Sequence, residues 1–185
     1  LAAKLNIDPL ELRKKNLKFD LTVIAVLQAI ALAYGVYVMF EARPVYTVFV
    51  VDRFEVVAAE QLDPNDLAEG APEYRDLSLT GPRVIGTRLP DKANAAEWNT
   101  LILAGVAGKD VQNFPKYYVP YAEVKDQVLA KAKPLTQLAA GTSERAAAVQ
   151  AFVAKAQRPD TDLAYVPLVG RGQFMTAVID RRDAQ

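Results

Sequence analysis

The sequence predicts an α+β protein: a single N-terminal transmembrane helix followed by one mixed α/β periplasmic domain, with strands at both ends and helices between. Three observations carry that prediction. Residues 21–40, LTVIAVLQAIALAYGVYVMF, hold no charged side chain. Just beyond them VYTVFVV, residues 45–51, is β-branched and aromatic, the composition of a central strand or one buried on both faces. The chain closes on LAYVPLVGRGQFMTAVID, residues 163–180, two apolar runs around Gly170-Arg171-Gly172, which is a hairpin signal.

The uncharged run is 20 residues long. At about 1.5 Å per residue it reaches roughly 30 Å, the thickness of the bilayer hydrocarbon. Gln28 is its one strongly polar side chain, whereas a core helix of a soluble protein is usually shorter and shows a polar face. A cleaved signal sequence has a shorter apolar region. Lys4, Arg13, Lys14, Lys15 and Lys18 precede the run against Asp8, Glu11 and Asp20, and Arg43 and Arg53 follow it. The positive-inside rule therefore makes residues 1–20 a cytoplasmic basic segment, with residues 21–40 in contact with membrane lipid; in a Gram-negative cell residues 41–185 are then periplasmic. Tyr34, Tyr37 and Tyr46 fall toward the outer end, where aromatic rings favour the interface. The first residue is Leu, so the natural protein is expected to extend upstream.

Within the run, Ala25, Ala29 and Ala33 recur every fourth residue. That spacing makes a stripe of small side chains that lets a second helix approach, with Gln28 and Tyr34 near enough to hydrogen-bond across it. The alternative is that the stripe reflects the abundance of Ala in membrane helices.

Beyond the first strand, RFEVVAA (residues 53–59) reads as a second short strand or the start of a helix, and PRVIGTRL (82–89) as another strand. Between them LDPNDLAEGAPEY (62–74) reads as loop, being rich in Pro, Asp and Gly. Asp91 is placed to cap a helix with Trp98, Leu101, Ile102 and Val106 near one face and Gly108 as its stop. QNFPKYYVPYAE (112–123) sets Phe114, Tyr117, Tyr118 and Tyr121 among Pro115 and Pro120; the prolines forbid regular helix there. These four aromatics form either a clasp over the core or a partner-binding surface. A helix carrying Val124, Val128, Leu129 and Ala132 on one side follows, disturbed at Pro134. Another runs from Thr142 or Ser143 to about Gln157, with Val149, Phe152 and Val153 spaced for burial.

The chain has neither Cys nor His. Zinc sites of the usual kind, thiol nucleophiles and catalytic histidines are thereby excluded, and no cofactor or metal is expected. Lys plus Arg equals Asp plus Glu, 22 of each, so nothing in the overall charge calls for nucleic acid. The Gly-Arg-Gly at 170–172 lacks the context of a phosphate loop. Asp52 and Glu55 flank Arg-Phe as solvated charges, and DPNDLAE (63–69) lacks the spacing of a calcium loop.

Residues 17–57, LKFDLTVIAVLQAIALAYGVYVMFEARPVYTVFVVDRFEVV, together with GPRVIGTRLP (81–90) and FPKYYVPY (114–121), resemble the TfpX/TfpZ family of type IV pilin accessory proteins. The resemblance runs from about Leu17 to Asp180. It implies a non-catalytic inner-membrane accessory protein whose partners are the major pilin or other type IV pilus assembly proteins. Members of that family usually carry further hydrophobic segments upstream. Here LAAKLNIDPLELRKKN (1–16) stands instead, and it resembles a short segment of molybdenum hydroxylase large subunits that nothing else in the chain supports. Contact with pilin is expected through the helix stripe, Ala25, Gln28, Ala29 and Ala33, or through Phe114, Tyr117, Tyr118 and Tyr121. The rival expectation is a membrane-tethered sensor or solute-binding domain, which calls for a preformed pocket with convergent polar groups.

Overall fold

The computed structural model describes residues 9–184, which divide into a helical unit ending at Ala42 and a sheet unit beginning at Arg43. Helix α1 spans Pro9–Glu41. Pro is tolerated in a first turn, where its missing N–H is an orphan in any case, and Glu11 there complements the helix dipole. The helix gives out where Arg43 precedes Pro44, because the proline ring forces the residue before it out of the helical region. Ala42 N still donates to Val38 O at 2.9 Å. The part of the basic segment that is described, residues 9–20, is helical and continuous with the apolar run. Lys4 and Asp8, and the first eight residues of the 1–16 segment, lie outside the described residues.

Two residues, Ala42 and Arg43, join α1 to strand β1, Pro44–Val50. A hairpin leads into β2, Arg53–Ala58, in register Phe49↔Phe54 and Val48↔Glu55. β3, Arg83–Thr87, lies parallel to β1, and β4, Tyr118–Pro120, antiparallel to β3. On the other side β6, Leu163–Gly170, runs parallel to β2 through Leu168 and Val169. It pairs over its full length with β7, Gln173–Asp180, and near its start with the two-residue β5, Lys133–Pro134. The order is β4-β3-β1-β2-β6-β5, with β7 paired to β6. The strands at 163–180 therefore join the same sheet as those at 44–58, as the α+β prediction requires. Arg171 and Gly172, at φ 43° and 74°, make the tight turn between β6 and β7, the left-handed pair that matches strand twist.

β1 is central because nearly every side chain on it is buried. Tyr46, Val48 and Val50 enter one core with Val57, Ile85, Tyr74 and Tyr118. Phe49 enters a second core with Phe54, Val124, Val128, Val166 and Ile179. Alternation along a strand sends these two sets to opposite faces.

Two of the helices before β4 depart from expectation. Residues 62–74 are not all loop: α2, Pro64–Glu69, forms because Asp63 caps it, Oδ1 accepting from Asn65 N at 2.8 Å, with Pro64 at the first helical position. α3, Ala95–Val106, is capped by Asn94 rather than Asp91. Asn94 Oδ1 accepts from Glu97 N at 3.2 Å and its Nδ2 donates to Glu97 Oε2 at 2.9 Å, a reciprocal cap that Asp91 is too far upstream to make. Asp91 instead turns the preceding loop, accepting from Ala93 N and, through its carbonyl, from Trp98 Nε1. α3 half-buries Trp98 and Leu101, whereas Ile102 and Val106 are exposed.

α4, Lys125–Lys131, buries Val128 with the preceding Val124, as expected. α5, Leu135–Ala139, buries Leu135. α6, Ser143–Ala156, starts at the Thr142 cap, whose Oγ1 accepts from Arg145 N, and ends at Gln157 in the left-handed region. Its Val149 and Val153 are half-buried, but Phe152 is 44% exposed, contrary to the expectation of burial.

Gly86 marks the closest approach of the sheet to its cover. A Cβ there would fall 2.4 and 2.5 Å from the two methyls of Val124, which is 2% exposed. Gly86→Ala is expected to destabilise the sheet unit by about 1–3 kcal/mol through overpacking, read as a lowered denaturant midpoint with unchanged slope; pairing it with Val124→Ala should restore part of the loss.

Candidate functional site

The sheet unit has an aromatic layer under its first face. Tyr46, Tyr74 and Tyr118 meet edge to face, with centroids 5.3 to 6.5 Å apart. The Arg83 guanidinium sits 5.6 Å from the Tyr74 ring centre and 5.9 Å from that of Tyr46, giving the layer a charged lid. Each buried hydroxyl is satisfied: Tyr46 donates to Tyr74 O at 2.9 Å, and Tyr118 to Gln112 O. Burial pushes the phenols of Tyr46, Tyr74 and Tyr118 upward, so they stay neutral donors.

That layer decides the fate of the second candidate surface. Phe114, Tyr117 and Tyr118 are buried, and Tyr121 is half-buried with its hydroxyl on Ala184 O at 2.5 Å. Tyr117 donates to Glu97 Oε1 at 2.8 Å and lies under Lys116, whose Nζ is 5.0 Å from the ring centre. Burial raises the Tyr117 phenol, and the bond to Glu97 raises it further. For Lys116, burial alone would lower the ammonium, but Tyr117 and Glu97 outweigh it and leave it raised. The prolines turn this segment so that its rings point inward as a clasp, and an open aromatic face for a partner is not formed.

The first candidate set lies open. Every residue of α1 from Asn16 to Glu41 whose burial is described is exposed or half-exposed, and this stretch is long and apolar enough to cross a membrane. Ala25, Gln28, Ala29 and Ala33 occupy one stripe of it, all exposed. Leu27, Ile30, Leu32 and Met39 stand 60 to 74% exposed on its flanks. Apolar side chains exposed around a helix cost about 25 cal/mol per Å2 in water, so such a surface calls for lipid or another helix.

Two further apolar surfaces went unread in the sequence. Val51, exposed at φ 56° in the β1–β2 turn, borders a groove of about 410 Å3 with Leu89, Trp98, Leu101 and Ile102. The run LILAGV, residues 101–106, is apolar through more than a full turn, which is the available signal that one face of α3 is left outside. The second groove, about 420 Å3, lies between α5 and α6 on one side and β7 on the other, lined by Leu138, Val149, Phe152, Phe174 and Val178. Phe174 is 88% exposed. The first groove also carries Arg53 and Asp110 on its wall and the second Arg145, and no cluster of three or more metal-ligating side chains occurs among the described residues.

Two curated proteins align with this chain. A fimbrial assembly protein of serogroup I from Dichelobacter nodosus is 30% identical over 125 residues, covering 68% of this chain and 48% of the relative. Its serogroup E1 counterpart from the same organism is 28% identical over 125 residues, with the same coverage. The chain is similar to fimbrial assembly proteins. That similarity supports a family related to pilus assembly, and the chain spans about half the length of the curated relatives it matches. No protein-family description matches the chain, and no solved structure does.

Glu55 departs from the solvated charge expected of it. It is half-buried, with Arg53 Nε 3.0 Å from Oε1. Burial raises its pKa above the usual carboxylate value, Arg53 opposes that, and Asp110 adds to it. A carboxyl whose folded pKa is raised binds its proton more tightly in the folded state, so its contribution favours folding in acid and turns against it as pH rises through the folded pKa. Glu55→Gln is therefore expected to raise the melting temperature relative to wild type at pH 7, with the difference shrinking toward zero below pH about 4.

Proposed function

We propose that this chain is a non-catalytic inner-membrane accessory protein of type IV pilus biogenesis, of the TfpX/TfpZ kind, that contacts pilin or the assembly machinery through its transmembrane helix. The observation that carries the reading is the exposed stripe of Ala25, Gln28, Ala29 and Ala33 on a helix fit to span a bilayer, in a chain similar to fimbrial assembly proteins. Small side chains at every fourth position let backbones approach, and Gln28 offers a hydrogen bond across the interface. The periplasmic placement of the sheet unit rests on Arg13, Lys14, Lys15 and Lys18 ahead of the apolar run. The absence of His and Cys agrees with a role in contact rather than catalysis.

A sensor or solute-binding reading has less support, because both grooves are lined mainly by apolar side chains, with only Arg53 and Asp110 in one and Arg145 in the other to fix a small ligand.

The test is photo-cross-linking in a piliated host with a probe at Ala29. Pilin or an assembly protein should be captured from Ala29, and Ala29→Leu with the probe moved to Ala33 should lower capture several-fold while the melting temperature of the sheet unit stays put. Equal capture with and without Leu at position 29 would remove the stripe from the account.

A further inference from the structure

β7 is an eight-residue edge strand, and the two edges of this sheet are unequal. At the far edge, β4 is three residues long and ends on Pro120, whose ring removes a donor. β7 has no Pro, no bulge in its register and no charge from Gln173 to Ile179. An edge so unguarded is a template for another strand.

The register fixes which backbone groups are free. Arg181 N donates to Asp162 O at 2.8 Å, which makes 162 and 181 a hydrogen-bonded pair. Antiparallel pairs alternate between bonded and non-bonded, so Tyr165↔Val178, Pro167↔Thr176 and Val169↔Phe174 are the non-bonded pairs. Pro167 falling in that set is consistent, since it has no N–H to give to β7. Phe174, Thr176 and Val178 therefore aim their N–H and C=O away from β6. Asp180 would be next, but its carbonyl already accepts from Ala184 N.

We propose that this edge pairs with β7 of a second copy of the chain, antiparallel, about a two-fold axis normal to the sheet through Thr176. Such an axis keeps matching faces on the same side, so opposed residues must share parity. It sets Thr176 against Thr176 and Phe174 against Val178 of the other copy, which uses all six outward groups and leaves none over. Phe174, 88% exposed, then comes to the other copy's Val178, a wall of its 420 Å3 groove beside Phe152 and Val149. The contact is self-complementary, as a two-fold interface demands. At its ends Arg171 comes opposite the second copy's Arg181, and Glu60, 2.6 Å from Arg171, supplies counter-charge. An aromatic side chain buries about 150–250 Å2 at most, and with Met175 and Phe152 already more than half covered the two copies add only several hundred Å2, roughly the range of weak, transient contacts. The dimer is thus concentration-dependent, and the inference goes beyond the pilin reading because it stands on the sheet unit alone.

The chain has no Cys, which makes the test clean. Single-cysteine full-length variants in detergent micelles are oxidised and run without reductant. Thr176→Cys should form a covalent dimer, because directly paired Cα atoms lie about 5.5 Å apart, within disulfide reach. Gln173→Cys should not, since the two-fold sets it roughly six residues from its own copy, about 20 Å. A mixture of Phe174→Cys and Val178→Cys chains should give the mixed dimer in excess over either alone. Thr176→Lys should shift sedimentation to the monomer while matching the melting temperature of wild type at dilutions where wild type is itself monomeric. Cross-linking that is equal at 176 and 173, absent at both, or replaced by capture of an extended segment of another protein would overturn the proposal, and none of these results depends on whether pilin binds α1.

Discussion

The constraint on which the rest depends is the burial of β1 on both faces so soon after the apolar helix. Two residues separate Glu41 from Pro44, and within the next seven the chain has laid down Val45, Tyr46, Val48 and Phe49, each at most 1% exposed. A strand entered this abruptly has no length of linker over which to adjust, so the chain leaves α1 already committed to the centre of a sheet. Everything added later in sequence covers one side or the other of β1: β2 and the β6–β7 hairpin extend the sheet one way, β3 and β4 the other.

From that follows the division of labour in the molecule. The groups with the most chemical potential, the tyrosines at 46, 74, 117 and 118, are absorbed into packing and hydrogen bonds and held neutral by burial. Among the solvated charges of the surface, several apolar side chains are also left outside: the circumference of α1, the outer face of α3, and Phe174 with Phe152 beside β7. Single exposed apolar residues are ordinary, but contiguous ones mark contact surfaces. The chain that exposes these surfaces is similar to proteins named for fimbrial assembly.

Much of the fold was legible because its signals are local and periodic. The uncharged run, the β-branched run at 45–51 and the turn at Arg171-Gly172 each specify an element without help from distant residues. The failures share a cause as well. Asp63-Pro64 is a helix start, yet the surrounding Pro, Asp and Gly masked it as loop; Asp91 and Asn94 are both good caps, and the reciprocal bond with Glu97 chose between them. Burial of Phe152 was expected from helical spacing, but spacing says which residues share a face, as it does for Ile102 and Val106, not whether another element reaches that face. The candidate stripe on α1 can be picked out in sequence because Ala25, Ala29 and Ala33 share one face of a single helix. The grooves beside α3 and β7 cannot, since each is made by elements far apart in the chain.

The central claim is that α1 crosses the membrane with the sheet unit on the far side, and site-specific labelling in intact cells tests it most directly. With no native Cys, a cysteine at exposed Thr100 and one at exposed Lys14 can each be offered a membrane-impermeant maleimide before and after the inner membrane is opened. The account predicts that Thr100→Cys reacts once the outer membrane alone is permeable and that Lys14→Cys reacts after lysis. Protection of both until lysis, or labelling of Lys14→Cys ahead of Thr100→Cys, would contradict it.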